Sequence, residues 1–124
     1  MDSPASTPAK TPTPQAIGYA PLAMPNSCLP DAAGFRQAYE IYRKARGYSG
    51  WTRLLLVYSR DGSRASRAHA YCVFTLEGRL WAYDQVAGSQ RVWVKLTEKN
   101  NAAKLGGLLA AGSFVRANWL DRDF

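Results

Sequence analysis

All seven prolines of this 124-residue chain, Pro4, Pro8, Pro12, Pro14, Pro21, Pro25 and Pro30, fall within the first thirty positions, and none follows. Proline fixes φ and lacks a backbone N–H, so it is excluded from helix interiors and central strands. Regular structure is therefore expected from about Asp31 onward, with Pro30 suited to the first turn of a helix, where a missing N–H costs nothing. Residues 1–20 are Pro/Ser/Thr/Ala-rich around Thr11-Pro12-Thr13-Pro14. That composition predicts a disordered, polyproline-like tail, leaving residues 21–124 as one domain. Charge divides at the same place. Within the first thirty residues Lys10 balances Asp2, so the remainder carries the whole formal +7.

With 47% apolar residues the chain supports one modest core. No window approaches the ~20 apolar residues of a membrane-spanning helix. Met1-Asp2-Ser3-Pro4 lacks the basic start and apolar run of a secretory leader. A periplasmic or extracellular location would thus rest on a leader already removed. One histidine and two distant cysteines offer no paired metal ligands, so no metal and no cofactor is expected.

From Asp31 to Arg46 the apolar residues Phe35, Ala38, Tyr39, Ile41, Tyr42 and Ala45 recur at three- and four-residue intervals, which predicts an amphipathic helix ending at Gly47. Strand-like segments follow at 52–59, 67–76, 79–86 and 91–96. Turn signals separate them at Asp61-Gly62-Ser63, Glu77-Gly78 and Gly88-Ser89. Both alternating faces of Ala70–Phe74 are apolar, as in a central strand covered on both sides. A helix is expected over 98–111, weakened by Gly106-Gly107; residues 114–124 have no clear assignment. The expected fold class is α+β, an N-terminal helix packed on an antiparallel sheet of about four strands.

Three residues carry candidate chemistry. Cys28 stands at the start of the first helix, where free N–H groups and the helix dipole favour a thiolate; Asp31, one turn on, opposes it. His69 opens the central strand and Asp84 closes the next. If Glu77-Gly78 is the centre of a two- or four-residue loop, Asp84 lies opposite Tyr71. His69 and Asp84 then share a face as diagonal neighbours. A three-residue loop would put them on opposite faces. The same register sends Cys72 to the face away from His69, as a small buried hydrophobe. Cys28 is thereby singled out as the thiol to meet the imidazole, completing a nucleophile, base and orienter.

The order of Cys28, then His69-Ala70-Tyr71-Cys72-Val73-Phe74, then Gly78-Arg79-Leu80-Trp81-Ala82-Tyr83-Asp84 resembles the transglutaminase-like branch of the papain-like cysteine proteases, over roughly Asn26–Leu96. Leu29-Pro30-Asp31-Ala32-Ala33 departs from the acidic-aromatic pair common two residues beyond the cysteine in that branch. The resemblance implies a papain/transglutaminase-like core with a Cys, His, Asp triad. It also implies a cysteine peptidase, amidase or transglutaminase-like acyl transferase acting on an amide or peptide bond of a peptide or protein substrate. The Cys28 N–H supplies one oxyanion donor; Asn26, Gln15 and Gln85 are candidates for the second. Tyr71, Trp51 and Trp81 are candidate cleft walls. The alternative is a non-catalytic basic module, including a degenerate relative of such enzymes. It would bind an anionic polymer through arginines of the first helix and of the 59–67 loop. No nucleic-acid-binding motif accompanies them.

Overall fold

The computed structural model describes residues 11–60 and 66–121. The Asp61-Gly62-Ser63 turn, Arg64 and the first ten tail residues lie outside that set. Helix α1, Cys28–Ala45, precedes strands β1 (Thr52–Arg60), β2 (Ser66–Leu76), β3 (Arg79–Asp84) and β4 (Gly88–Val92). Helix α2, Ala102–Ala110, then leads to β5, Phe114–Trp119. The strands form one antiparallel sheet in the order β4-β3-β2-β1-β5. The α+β plan is thus an N-terminal helix on a five-strand sheet. The unforeseen strand is β5, which pairs along the free edge of β1.

Period-two alternation divides the core between the two faces. Ala70, Cys72, Phe74, Leu76, Trp81 and Tyr83 face α1, packing with its Ala32, Phe35 and Tyr39. Tyr71, Val73, Leu80, Ala82 and Val92 face the other way, with Leu55, Val57 and Leu105 of α2. The central strand β2 is therefore covered on both sides, as its composition predicts. Glu77 (φ 53°) and Gly78 (φ 72°) both take left-handed φ in a two-residue hairpin turn, the geometry that matches strand twist. The resulting pairing of Leu76 with Arg79 and Cys72 with Tyr83 is the even-loop register.

The assignment of 1–20 as tail fails where the structure describes it. Residues 14–18 form a turn whose Ile17 is buried in the α1-side core. Ser89 Oγ donates to the Pro12 carbonyl at 2.6 Å, so the folded unit begins before residue 21. Two apolar residues, Ile17 and Tyr19, embedded among prolines, explain this departure: each buries against α1 and contributes what a polar tail cannot.

Gly106-Gly107 does not interrupt α2, because the first of these glycines serves packing. A Cβ on Gly106 would stand 2.6 Å from the Phe114 ring and 2.7 Å from the Ala117 Cβ, whereas one on Gly107 meets nothing within 4 Å. The two alanine substitutions should therefore have opposite signs. Gly106→Ala is expected to cost about 1–3 kcal/mol through overpacking, and Gly107→Ala to gain about 0.5–1 kcal/mol from helix propensity. Equilibrium urea unfolding checks both; equal and like-signed effects would contradict the packing role.

Candidate functional site

His69 and Asp84 meet as the register predicts. His69 Nε2 lies 2.6 Å from Asp84 Oδ2, with the carboxylate almost fully buried and the imidazole partly open. An ionised carboxylate only accepts, so Nε2 carries a hydrogen, and in the neutral imidazole Nδ1 keeps the lone pair. Asp84 also accepts from the Val86 and Ala87 N–H groups, both at 3.3 Å. That fixes the carboxylate within the β3–β4 turn.

The imidazole opens onto a cleft of about 620 Å³ lined by Val57, Ser59, Arg60, Arg67, Tyr71 and Leu109, among others. This is within the usual range for small-ligand sites. Tyr71 stands edge-on to His69, ring centroids 5.0 Å apart, and lines the same cleft. Its phenol is pushed up to about 12, first by burial and then by Asp84. It therefore remains a neutral donor at physiological pH.

The structure brings these residues together, but Cys28 stands on the other side of the sheet. Cys28 begins α1 and packs, half-buried, against the cluster of Cys72 and Tyr83, the face away from His69. Among the described residues no hydrogen bond joins it to His69. The parity argument correctly separates Cys72 from His69, yet α1 covers the Cys72 face, so Cys28 lies on that side too. What links the two sides is the end of β3. Gln85, following Asp84, donates to Ser27 Oγ at 2.6 Å and to the Leu22 carbonyl, which places the residue before Cys28 against the residue after Asp84.

Gln85 is thus a strut between strand and helix, its amide hydrogens used, and not an open oxyanion donor. Asn26 lies exposed in the turn before α1 with φ 57°. Gln15 lines a separate groove on the outer side of α1, near Ala38 and Tyr42. The start of α1 adds the Leu29 N–H, which the sequence did not single out, to that of Cys28. Ser27 makes no side-chain cap, its hydroxyl being spent on the Met24 carbonyl and Gln85. Pro30 has no N–H, and the Asp31 N–H goes to the Ser27 carbonyl. Among the described residues no acceptor meets the first-turn N–H groups of Cys28 and Leu29.

The two tryptophans serve packing. Trp81 is buried on the α1 side, opposite the dyad. Trp51 precedes β1 at the far end of the sheet, where its carbonyl accepts from Thr75 N, and its ring stands edge-on to Trp119 at 5.8 Å. Cys72 is fully buried, and burial pushes its thiol well up, so it is inert. Both thiols are free.

Asp31, read as a charge opposing the Cys28 thiolate, has a different use. Fully buried, it accepts from Tyr19 OH and Leu22 N–H, both at 2.8 Å, and from Tyr83 OH at 2.6 Å. Burial, then the Asp31 hydrogen bond, raises the Tyr19 and Tyr83 phenols; burial also raises Tyr39. These folded-state values, with that of Tyr71, lie above the ordinary 10.0. Their contribution to stability is present in full below pH ~10 and lost as pH rises through the folded values. Urea unfolding from pH 8 to 12, with phenolate absorbance at 295 nm, should show stability falling steeply above pH ~10. A flat profile would contradict the coupling.

Among the described residues no cluster of three or more His, Cys, Asp or Glu could hold a metal ion, and no helix is long and apolar enough to cross a membrane. Comparison with protein-family models, curated proteins and solved structures found no match.

Proposed function

We propose that the protein is a thiol-dependent acyl-transfer enzyme of papain/transglutaminase-like core, acting on an amide or peptide bond as a peptidase, amidase or transglutaminase. The observation that carries this proposal is the 2.6 Å His69–Asp84 pair, open to a cleft and followed in sequence by Gln85, which holds Ser27, the residue before Cys28. Cys28 Sγ attacks the acyl carbon, and the oxyanion is received by the Cys28 and Leu29 N–H groups. His69 takes the thiol proton at Nδ1 and returns it to the leaving amine, while Asp84 holds the tautomer. Water then releases an acid, or an amine releases a new amide. Turnover requires Sγ and Nδ1 to meet at the end of β3.

The two arginines of the cleft favour a second reading, in which the same groove binds an anionic polymer without turnover. Alkylation by iodoacetamide separates them. In the enzyme, Cys28 reacts at pH 6–7 with a depressed pKa, and His69→Ala slows it at least about tenfold, while Cys72 stays unlabelled. An ordinary thiol pKa near ~8.5, unaffected by His69→Ala, overturns the activated nucleophile and leaves the binding module.

A further inference from the structure

We infer that Ser59 is an oxygen nucleophile served by the His69–Asp84 pair, giving the cleft an esterase activity toward short aliphatic acyl esters; this goes beyond the thiol reading and does not depend on Cys28. The sheet sets the three groups on one diagonal of one face. Asp84 follows Tyr83, which pairs with Cys72. His69, on the neighbouring strand β2, lies opposite Val57 of β1, and Ser59 stands two residues beyond Val57. Directly paired residues share a face, as do residues two apart on one strand, and Asp84, His69, Val57 and Ser59 all line the cleft. Diagonal neighbours on adjacent strands are roughly 7–8 Å apart at Cα. The 2.6 Å His69–Asp84 contact closes one such step, and Ser59 occupies the next one in the same direction.

Hydrogen bonding selects this hydroxyl. Ser113 also lines the cleft, but its Oγ donates to the Ala110 carbonyl at 2.8 Å. Among the described residues no hydrogen bond engages Ser59 Oγ. The two nitrogens of an imidazole point to different sides of the ring. With Nε2 held by Asp84 of β3, Nδ1 is turned away from β3, toward the side on which β1 carries Ser59. The β1–β5 pairing shifts register here, from Tyr58–Arg116 to Ser59–Phe114, an irregularity of the kind that re-aims side chains beside reactive sites. In the reaction, Ser59 Oγ bonds to the acyl carbon and its proton passes to Nδ1. The ester C–O bond then breaks as Nδ1 returns that proton to the leaving alcohol. Water, deprotonated at the same nitrogen, releases the acid and restores Ser59. Val57, Leu109, Ala110 and the exposed Val86 form an apolar wall, which suits an aliphatic acyl chain.

The test uses the full chain and an alkyl fluorophosphonate ester, a hydroxyl-directed probe, with adducts mapped by mass spectrometry. Ser59 is the one serine of the tryptic peptide Leu54–Arg60, and fragmentation separates it from Tyr58. Stoichiometric labelling of Ser59 is expected. It should vanish in Ser59→Ala, and slow at least about hundredfold in His69→Gln and at least about tenfold in Asp84→Asn. The labelling rate should rise with pH in one step that His69→Gln removes. Circular dichroism checks that the variants fold, and Asp84→Asn carries the test should His69→Gln unfold. In parallel, p-nitrophenyl butyrate is expected to turn over about tenfold faster than the acetate; equal rates overturn the aliphatic assignment. An unlabelled Ser59, or labelling that both dyad variants leave unchanged, overturns the nucleophile. A butyryl adduct on Cys28 with none on Ser59 also overturns it and supports the thiol reading. An adduct on Ser59 with none on Cys28 supports the inference and counts against the thiol.

Discussion

Replacing Asp31 with alanine is expected to lower the unfolding free energy by about 4 kcal/mol. The carboxylate is fully buried and accepts three hydrogen bonds from two separate segments: Tyr19 and Leu22 before α1, and Tyr83 of β3. Hydrogen bonds to a charged group contribute about 1.5–3 kcal/mol each, and a stranded buried donor costs about 1–3 kcal/mol. Removing the acceptor strands the Tyr83 hydroxyl in the core and frees the segment before α1. Asp31→Asn keeps one acceptor oxygen but turns an NH2 toward a donor, so a loss of about 2 kcal/mol is expected. Urea unfolding measures the loss, and double-mutant cycles with Tyr19→Phe and Tyr83→Phe should be non-additive. Chymotryptic cleavage at Tyr19 should accelerate in parallel. A loss under about 1 kcal/mol, with additive cycles, would show that the network is dispensable.

Phe35→Ala should cost a similar amount, about 3–5 kcal/mol. The ring is fully buried and stacked on Tyr83 at a centroid distance of 3.9 Å, with Phe74 at 5.4 Å, Tyr19 at 6.0 Å and Tyr39 at 6.4 Å. These neighbours come from the N-terminal turn, α1, β2 and β3, so the void cannot close by a local shift. Phe35→Leu retains most of the apolar volume and should lose about half as much. Thermal and urea unfolding check both; equal losses for alanine and leucine would mean that the site collapses freely.

The His69–Asp84 contact was legible in the sequence because it depends on a turn whose chemistry is local. Glu77-Gly78 sets an even hairpin, and alternation does the rest. The position of Cys28 was less legible. Period two tells which residues share a face, not which face a helix will cover, and that choice is made by Phe35, Tyr39, Tyr83 and Phe74 packing together. Asp31 was misread for a related reason, since its partners, Tyr19 and Tyr83, are 12 and 52 positions away. Strand β5 escaped because Phe114–Trp119 alternates weakly and lies at an edge, where one neighbour suffices. Ile17 and Tyr19 were hidden by the surrounding prolines, although both are too apolar for a solvated tail.

Asp84 and Gln85 are consecutive, and they point to opposite sides of the sheet, one into the imidazole and the other into the turn that starts α1. The two groups are one covalent step apart, so the end of β3 ties the face that holds the imidazole to the start of the helix that covers the other face.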